Sequence, residues 1–555
     1  MTVRPDPLAA RRLALLWVIA CAALALTPCS ASAAQKIQKG TLIRLADGEV
    51  QGTISGQTRQ FLGIPFAAPP VGPLRWRPPT PPTPWQGVLQ ANAFAGSCAQ
   101  LASIQGPASE NENCLYLNVW TPDPAPRKPL PVMVWFHGGG NQQGSASDPV
   151  PFPGVPGRFY DATVLSGERD VVVVTINYRL NVFGFFAHAA LAGEDPAHPF
   201  AGNQGLLDQQ LALQWVRANI AAFGGNPKRV TIFGESAGSQ DTCLQVASPA
   251  SRKLFHRAIS ESGGCTTRQP TAAEGAATAA TFASSAGCGG ASDQLACLRA
   301  QPASALLAIL AQSGTGGIIP NFDFGPVVDG GFLPDQPRTL YDAGRYARVP
   351  YILGSNSDEG TLFLLNTPPV TTEAAYLAAL RVRYGSRADA VAALYPASSF
   401  PTPQAALARA FGDQILVCTT YDTARRVAAG GAHTYLYNFS RAIPIDILQQ
   451  LGLGAFHGSE IVYVFGSITP PTPDDAVLGE TLRGYWTRFA RSGKPNGKGA
   501  VKWPRFNDSG DRRLDLDVTP SVLTAFSRHE CEFWWGVYDD QFAGGSPSGA
   551  FVDGD

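Results

Sequence analysis

Both the fold and the chemistry of this chain follow from residues 230–239, which read Val-Thr-Ile-Phe-Gly-Glu-Ser-Ala-Gly-Ser. The first four residues form an apolar, mostly β-branched run, as expected of a strand that is buried on both faces. The next five residues, Gly234 to Gly238, fit G-x-S-x-G, and a helical pattern follows them. A sharp strand-to-helix turn of this kind lifts the serine hydroxyl clear of the sheet and needs glycine on either side. The segment therefore predicts that Ser236 is a nucleophile.

Further apolar runs predict an alternation of strands and helices along the chain. Strands are expected at residues 132–136, 171–176, 258–260 and 351–354, and a helix is expected at residues 206–221. This alternation predicts an α/β fold, with a mostly parallel central sheet and helices on both faces. Residues 272–320, which are rich in Ala, Ser and Gln, are expected to form helical insertions. Ligand sites in such sheets lie at the carboxyl ends of the strands.

The composition supports a large buried core and excludes several classes of function. Of 555 residues, 45% are hydrophobic and only 15% are charged, and the formal net charge is −1. Without a basic surplus to neutralise phosphates, nucleic acid is not expected to be a partner. The chain has only seven histidines, which disfavours a histidine-rich metal site. We expect neither a metal nor a cofactor, and nothing in the sequence indicates an oligomeric state.

The first 33 residues are expected to be a secretory signal that is removed. Three arginines precede the apolar run 13–26, and small residues at 30–34 fit a cleavage site. Fourteen apolar residues fall short of the ~20 that a membrane-spanning helix needs. We therefore expect export to the periplasm or the medium and no membrane span in the mature chain. Residues 34–543 are expected to form one domain, followed by a flexible tail at residues 544–555.

The cysteines are consistent with an oxidising compartment. Eight remain after the predicted cleavage, and an even number in an exported protein favours disulfides. A zinc site is the alternative, but the chain has no C-x-x-C and its cysteine spacings do not resemble a ligand cluster.

A serine nucleophile needs a histidine base that is oriented by a carboxylate. After a strand–turn–helix serine, the acid and then the histidine are expected further along the chain. His457 is the preferred base because it lies in a Gly-containing loop. His433 is expected to be structural, and His529 is expected to be solvated. The acid is expected at Asp358 or Glu359, which follow a predicted strand, and local chemistry does not separate the two.

Successive glycines form the second motif. His137-Gly138-Gly139-Gly140 follows a predicted strand, and glycines allow the backbone to approach a substrate closely and point N–H groups at one place. Such donors stabilise an oxyanion, and the N–H of Ala237, the residue after the nucleophile, can add another. A phosphate-binding loop is disfavoured because no Lys-Ser/Thr follows the glycines.

These motifs together resemble those of the type-B carboxylesterases, the cholinesterase-like family of α/β-hydrolases. The resemblance extends from about residue 40 to about residue 540. The opening motif at 61–67 is followed by Pro73-Leu74-Arg75-Trp76. The E-D-C-L-Y-L-N-V signature is matched at 112–119, except that Asn113 replaces the aspartate. The remaining matches lie at residues 202–206, 223–227, 254–263, 326–330 and 457–461.

The resemblance implies roles that local chemistry left open. The family's acid is usually the glutamate of D-E-G, which implies a triad of Ser236, Glu359 and His457. The oxyanion donors would be Gly139, Gly140 and Ala237. Ser262 and Glu235 are expected to lie next to the triad residues and to help position them. Arg75 is expected to form a buried ion pair with Glu112.

The resemblance also implies three disulfide bonds, and it leaves two cysteines without an assigned partner. The implied pairs are Cys98–Cys114, Cys288–Cys297 and Cys418–Cys531. Cys243 and Cys265 have no family role, although a fourth bridge between them is conceivable.

The resemblance implies hydrolysis, through an acyl-enzyme, of small to medium, uncharged esters. A lipase, a polyester or phthalate-ester hydrolase, and a toxin-ester hydrolase are alternatives on the same triad. A non-catalytic cholinesterase-like binding protein is a further alternative, disfavoured because the triad residues are complete. The loop from Cys98 to Cys114 contains no aromatic residue that could stack on choline, so choline esters are not expected substrates.

Overall fold

An eleven-stranded sheet forms the centre of the computed structural model, which describes residues 36–152, 154–312, 324–365, 367–507, 510–524 and 528–544. The predicted signal segment and nearly all of the predicted tail lie outside the described residues. The strands are β1 (Leu42–Arg44), β2 (Glu49–Gln51), β3 (Thr53–Ser55), β4 (Thr58–Pro65), β5 (Val88–Gln90), β6 (Tyr116–Pro122), β7 (Leu130–Phe136), β8 (Val172–Ile176), β9 (Gly225–Glu235), β10 (Arg257–Glu261), β11 (Tyr351–Asn356), β12 (Thr434–Phe439), β13 (Arg512–Leu516) and β14 (Ser521–Thr524).

The sheet is mostly parallel, which confirms the predicted α/β class. Its strand order is β14-β13-β12-β11-β10-β9-β7-β8-β6-β4-β3. The strands from β13 to β8 in this order pair in parallel, whereas the pairs at either end of the sheet are antiparallel. Strands β1, β2 and β5 form a separate small sheet.

The α-helices fall between the strands, and several of them form insertions. They are α1 (Thr163–Arg169), α2 (Asn181–Phe185), α3 (Gln204–Asn219), α4 (Ala237–Ala247), α5 (Ala272–Ser285), α6 (Gln294–Ala300), α7 (Ala303–Gln312), α8 (Pro337–Asp342), α9 (Glu373–Tyr384), α10 (Ala388–Leu394), α11 (Pro403–Gly412), α12 (Cys418–Ala429), α13 (Asp446–Gln450), α14 (Ile461–Phe465), α15 (Pro473–Ser492) and α16 (Arg528–Gly544). The helices α5 to α7 occupy the region where insertions were expected. The last helix includes Gly544, the first residue of the predicted tail.

Helices cover both faces of the sheet, as predicted. Alternate side chains of a strand point to opposite faces. Val134 of β7 belongs to the buried cluster that contains Val216 of α3, whereas Trp135 belongs to the cluster that contains Trp486 of α15. Consecutive residues of β7 therefore contribute to two separate cores, one on each side.

Among the described residues, no single helix is both long and apolar enough to span a membrane, although α6 and α7, bent by 99°, meet those criteria as a pair.

Four disulfide bonds cross-link the described residues and close loops of very different length. Three are the pairs that the resemblance implied, Cys98–Cys114, Cys288–Cys297 and Cys418–Cys531. The fourth joins Cys243 in α4 to Cys265 after β10, the pair that the sequence left open. Cys418–Cys531 attaches α16 to α12 across 113 residues, whereas Cys288–Cys297 closes only nine.

A buried ion pair holds the disulfide loop between Cys98 and Cys114 against α6. Arg75 Nε and Nη2 donate to the two carboxylate oxygens of Glu112 at 2.7 and 2.6 Å. Arg75 Nη1 also donates to the carbonyl oxygens of Leu298 and Gln301, at the end of α6. The Arg75–Glu112 pair that the resemblance implied is therefore present and links three segments.

The two disulfides at the extremes of loop length are expected to differ in their contribution to stability. Constraining a longer loop removes more entropy from the unfolded chain, so removing Cys418–Cys531 by a double Cys→Ala change should destabilise the protein by about 2 kcal/mol more than removing Cys288–Cys297. Urea unfolding followed by circular dichroism measures both free energies, and equal losses would contradict the loop-length argument.

Candidate active site

Ser236 lies in the turn between β9 and α4 in a conformation that few residues adopt. Its φ is +58° and its ψ is −124°, outside the regions ordinarily populated by L-residues. The N–H of Ser236 donates to the carbonyl of Glu261 at 2.9 Å, and the N–H of Gln240 donates to the carbonyl of Ser236 at 2.9 Å. Strand β10 and helix α4 therefore hold this turn from two sides.

Two glycines allow the turn to lie against the end of β7. A Cβ atom on Gly234 would lie 2.4 Å from the carbonyl oxygen of Gly238. A Cβ atom on Gly238 would lie 2.0 Å from the carbonyl oxygen of Phe136, the last residue of β7. Any other residue at these two positions would force the backbones apart. Steric exclusion of a Cβ atom therefore explains why both positions of G-x-S-x-G are glycine.

A cavity of about 720 Å³ lies at the carboxyl ends of the central strands. Its wall includes Gly139 and Gly140 after β7, Ser236 and Ala237 after β9, and His457. The volume is typical of pockets that hold small organic ligands. The cavity thus collects the residues that the sequence predicted to act together.

His457 and Glu359 form a buried hydrogen bond beside this cavity. His457 Nδ1 lies 2.7 Å from Glu359 Oε2, and the other oxygen of Glu359 accepts the backbone N–H of Asn356 at 2.7 Å. Glu359 is only 2% exposed. With the carboxylate on Nδ1, the imidazole is oriented so that Nε2 is the nitrogen left for other chemistry.

The neighbouring Asp358 has a different function in the structure. Its Oδ2 accepts the N–H of Ala455 at 2.9 Å, and its own N–H donates to the carbonyl of Ala455 at 3.0 Å. Asp358 therefore holds the backbone of the loop that carries His457, whereas Glu359 contacts the imidazole itself. The structure brings Glu359, and not Asp358, to the histidine.

His457 Nε2 faces Glu235 in the free protein. It lies 3.1 Å from Glu235 Oε1, and neither atom makes a hydrogen bond of good geometry among the described residues. No described group accepts or donates a hydrogen bond at the Ser236 hydroxyl. Catalytic hydrogen bonds are often long or misaligned in free enzymes and tighten only when substrate binds.

Three residues of the cavity wall have backbone N–H groups without an internal acceptor. Within the described part of the chain, the amides of Gly139, Gly140 and Ala237 donate to no protein group. Gly139 and Gly140 have φ values of +107° and +65°, which favour glycine. Ala237 is the first residue of α4, so its N–H is unpaired by helix geometry.

Buried carboxyl groups surround His457 in addition to Glu359. Burial and the neighbouring Glu359 and Glu261 raise the pKa of Glu235 well above its usual value. Burial and the nearby Glu460 likewise raise the pKa of Glu261, whose Oε1 accepts the indole N–H of Trp486 at 2.7 Å. Burial and the repulsion between adjacent buried negative charges therefore both favour the protonated forms of these acids.

Ser262, which was expected to support the acid, is fully buried behind the turn. Its backbone N–H donates to the carbonyl of Gly354 at 2.8 Å, and its hydroxyl has no hydrogen-bond partner in the described structure. Ser262 shares the positive φ of Ser236, at +58°.

The other histidines considered lie apart from this chemistry. His137 is buried, stacks on Tyr178 with 4.4 Å between ring centroids, and has a pKa lowered to about 4 by burial. His433 is exposed at the start of β12 and contacts Arg505. His529 is exposed on α16.

Sequence reasoning did not assign three residues that the structure places at this site. Glu261 ends β10, and a polar residue at the carboxyl end of a predicted parallel strand could have identified it. Glu460 lies three residues after His457, and its Oε2 accepts the Asn356 side chain at 2.6 Å. Gln105 lines the cavity from the disulfide loop, and no sequence signal indicated it.

Two comparisons relate this chain to known proteins. A model of the carboxylesterase family matches residues 39–534. A relative named fumonisin B1 esterase, from Sphingopyxis macrogoltabida, is 36% identical over 485 residues, which cover 84% of this chain and 84% of the relative. Both matches extend over the Ser236 turn and the Glu359 and His457 loops.

Replacing Glu261 by glutamine should relieve a pH-dependent cost in stability. A carboxyl with a raised pKa is protonated in the folded chain where the unfolded chain has released the proton. Its contribution is therefore complete below the unfolded pKa of 4.5 and is lost as the pH rises above it. The free energy of unfolding of Glu261→Gln minus that of the unsubstituted protein should increase from pH 5 to pH 8, by up to about 1.4 kcal/mol per pH unit. The difference in Tm should increase in the same direction. Thermal unfolding measures this difference, and a constant difference would refute a protonated Glu261.

Proposed function

The chain belongs to the carboxylesterase family and is a carboxylic ester hydrolase with the predicted α/β-hydrolase fold, and we propose that Ser236, Glu359 and His457 are its catalytic triad. The observation that carries the proposal is the 2.7 Å bond between Glu359 and His457, on the wall of the cavity into which the Ser236 turn projects. This arrangement supplies a nucleophile, a base and an orienting carboxylate, as serine hydrolysis requires.

The first half of the reaction forms an acyl-enzyme. The ester carbonyl carbon is attacked by Ser236 Oγ while His457 Nε2 takes the hydroxyl proton. Negative charge develops on the carbonyl oxygen, and the unpaired N–H groups of Gly139, Gly140 and Ala237 are placed to stabilise it. The C–O bond to the alcohol then breaks, and the alcohol leaves with the proton from His457.

The second half repeats the steps with water. His457 takes a proton from the water, which attacks the acyl carbon, and Ser236 is released with that proton. Throughout, Glu359 holds the imidazole by Nδ1 and stabilises the imidazolium.

The cavity favours uncharged esters of small to medium size. Its described wall carries no lysine or arginine, and its two carboxyl residues are Glu235 and Glu274. Burial raises the pKa of Glu235 well above its usual value, and both oxygens of Glu274 accept from Arg268 Nη2 at 2.9 Å. An anionic substrate would therefore find no lysine or arginine on this wall. The cavity has a volume of about 720 Å³, and its described wall is mostly apolar and aromatic.

A toxin-ester hydrolase is the alternative on the same triad that the comparisons favour, since the relative is named for fumonisin B1. A panel of esters that varies acyl length, alcohol size and charge, with fumonisin B1 included, separates the alternatives. A lipase would prefer long acyl chains and an interface. A non-catalytic binding protein would hydrolyse none of the panel.

Replacing Ser236 should abolish hydrolysis without unfolding the protein. We expect Ser236→Ala to reduce kcat for p-nitrophenyl acetate by a factor on the order of 10⁴ to 10⁶, and Glu359→Gln to reduce it by about 10⁴. An organophosphate should label the unsubstituted protein and not Ser236→Ala.

Two matched controls accompany this test. Ser284→Ala changes an exposed helical serine, and Asp358→Asn keeps an oxygen that can accept the Ala455 N–H. Both should retain activity within a few-fold. Full activity of Ser236→Ala, or equal losses in Glu359→Gln and Asp358→Asn, would overturn the triad.

We further propose that the enzyme is exported as a single domain after cleavage near residue 33. Four disulfides favour an oxidising compartment, and the described residues from Ile37 onward group into one compact unit. N-terminal sequencing of the exported protein should begin at residue 34 or 35. A protein that keeps Met1 in the cytoplasm would contradict the export proposal.

A further inference from the structure

The loop closed by Cys98–Cys114 is fastened to the glycine loop of the site. Gln100 bonds twice to Gly144, with its Oε1 accepting the Gly144 N–H at 2.7 Å and its Nε2 donating to the Gly144 carbonyl at 3.1 Å. The disulfide closes the same loop from its two ends. Side chains at the tip of this loop are therefore held in a fixed position relative to Gly139 and Gly140.

Gln105 is the polar side chain at that tip. Its N–H donates to the hydroxyl of Ser103 at 3.1 Å, so the turn is stabilised by the backbone of Gln105 and not by its side chain. The side chain lines the cavity, and its Oε1 would lie 2.5 Å from a Cβ built on Gly139. This carboxamide thus lies directly against the glycine whose N–H is proposed to bind the oxyanion.

The Gln105 carboxamide oxygen is buried and has no partner. Among the described residues it accepts no hydrogen bond, and the same holds for Oδ1 of Asn141, the residue after Gly140, which also lines the cavity. Asn141 Nδ2 donates to Asp241 Oδ1 at 3.1 Å, which directs its oxygen away from that aspartate. Two unpaired carboxamide acceptors therefore flank the glycine pair. Buried polar atoms are normally paired, and such exceptions are expected where a ligand completes them.

We propose that Gln105, together with the Asn141 oxygen, forms a hydrogen-bonding subsite that selects esters carrying a hydroxyl group close to the scissile carbonyl. The inference rests on the proposed triad and oxyanion donors, because these fix where the carbonyl lies. With the carbonyl oxygen on the Gly139 and Gly140 amides, a substituent a few bonds away reaches the Gln105 carboxamide. The unpaired Gln105 oxygen calls for a hydrogen-bond donor, which a hydroxyl group carries and a carboxylate lacks.

A site built to bond a hydroxyl rejects the analogue that lacks it, since its own buried polar group is then left unpaired. An unmatched acceptor should therefore lower kcat/KM for a plain ester about tenfold or more relative to its hydroxylated counterpart. Most of the difference between the two esters should come from a higher kcat/KM for the hydroxylated ester, because only that ester gains the hydrogen bond to the subsite.

Two pairs of esters test the subsite on either side of the scissile bond. Ethyl lactate and ethyl propionate differ by a hydroxyl on the acyl side, and 2-hydroxyethyl acetate and ethyl acetate differ by one on the alcohol side. The protein should show a kcat/KM ratio of ten or more for at least one pair. Gln105→Met, which keeps the length of the side chain, should reduce that ratio at least fivefold and leave the plain ester within about threefold. Gln105→Ala should behave in the same way.

Intrinsic reactivity cancels, because the same pair is compared between variants. Gln90→Met, which changes an exposed glutamine at the end of β5, is the matched control and should keep the ratio. A ratio near one in the unsubstituted protein, or equal losses on both esters in Gln105→Met, would overturn the subsite; equal losses would show that Gln105 only shapes the loop. Failure of the triad is distinguished separately, by p-nitrophenyl acetate turnover in Ser236→Ala.

Discussion

The site depends on the close approach of three backbones at the end of the sheet. The carbonyl of Phe136 at the end of β7, the turn at Ser236 and the first turn of α4 are so near one another that only glycine fits at 234 and 238. Because β7 and β9 are parallel neighbours, both end at the same edge. The residues that follow them, Gly139 and Gly140 in one case and Ser236 in the other, are thereby brought to a single cavity. A wider separation would place the proposed nucleophile and the proposed oxyanion donors too far apart to act on one carbonyl.

The electrostatics of the site follow from burial as much as from charge. Glu235, Glu261 and Glu460 lie close to the Glu359–His457 pair, and all are nearly inaccessible to water. If every one of them were ionised, their mutual repulsion in a medium of low polarity would be large. Burial raises the pKa of Glu235 and Glu261 well above its usual value and the pKa of Glu460 to about 8. The buried surroundings of the histidine thus disfavour the charges that these acids would carry in water.

Segments outside the central sheet form part of the cavity wall and carry the proposed specificity elements. The disulfide loop contributes Gln105, α5 contributes Glu274, and the segment before α8 contributes Phe324 to the cavity wall. Covalent and ionic bonds help to fix two of these segments: Cys98–Cys114 and Arg75 with Glu112 hold the disulfide loop, and Arg268 pairs with Glu274 of α5. A parallel sheet can therefore keep its catalytic edge constant while such attached segments determine which ester is accepted.

Local sequence determined the elements that obey short-range rules. The strand at 230–233, the turn at Ser236 and the glycines after β7 could be predicted because each depends on steric and apolar patterns within about ten residues. The order of the strands, the bond from Glu359 and not Asp358 to His457, and the Cys243–Cys265 bridge could not be derived from local pattern. Each of these joins residues that are distant along the chain, so only the packing of the sheet decides which of two adjacent carboxylates reaches the imidazole. The unpaired Gln105 oxygen belongs to the same class, because whether a polar atom has a partner is a property of the assembled cavity.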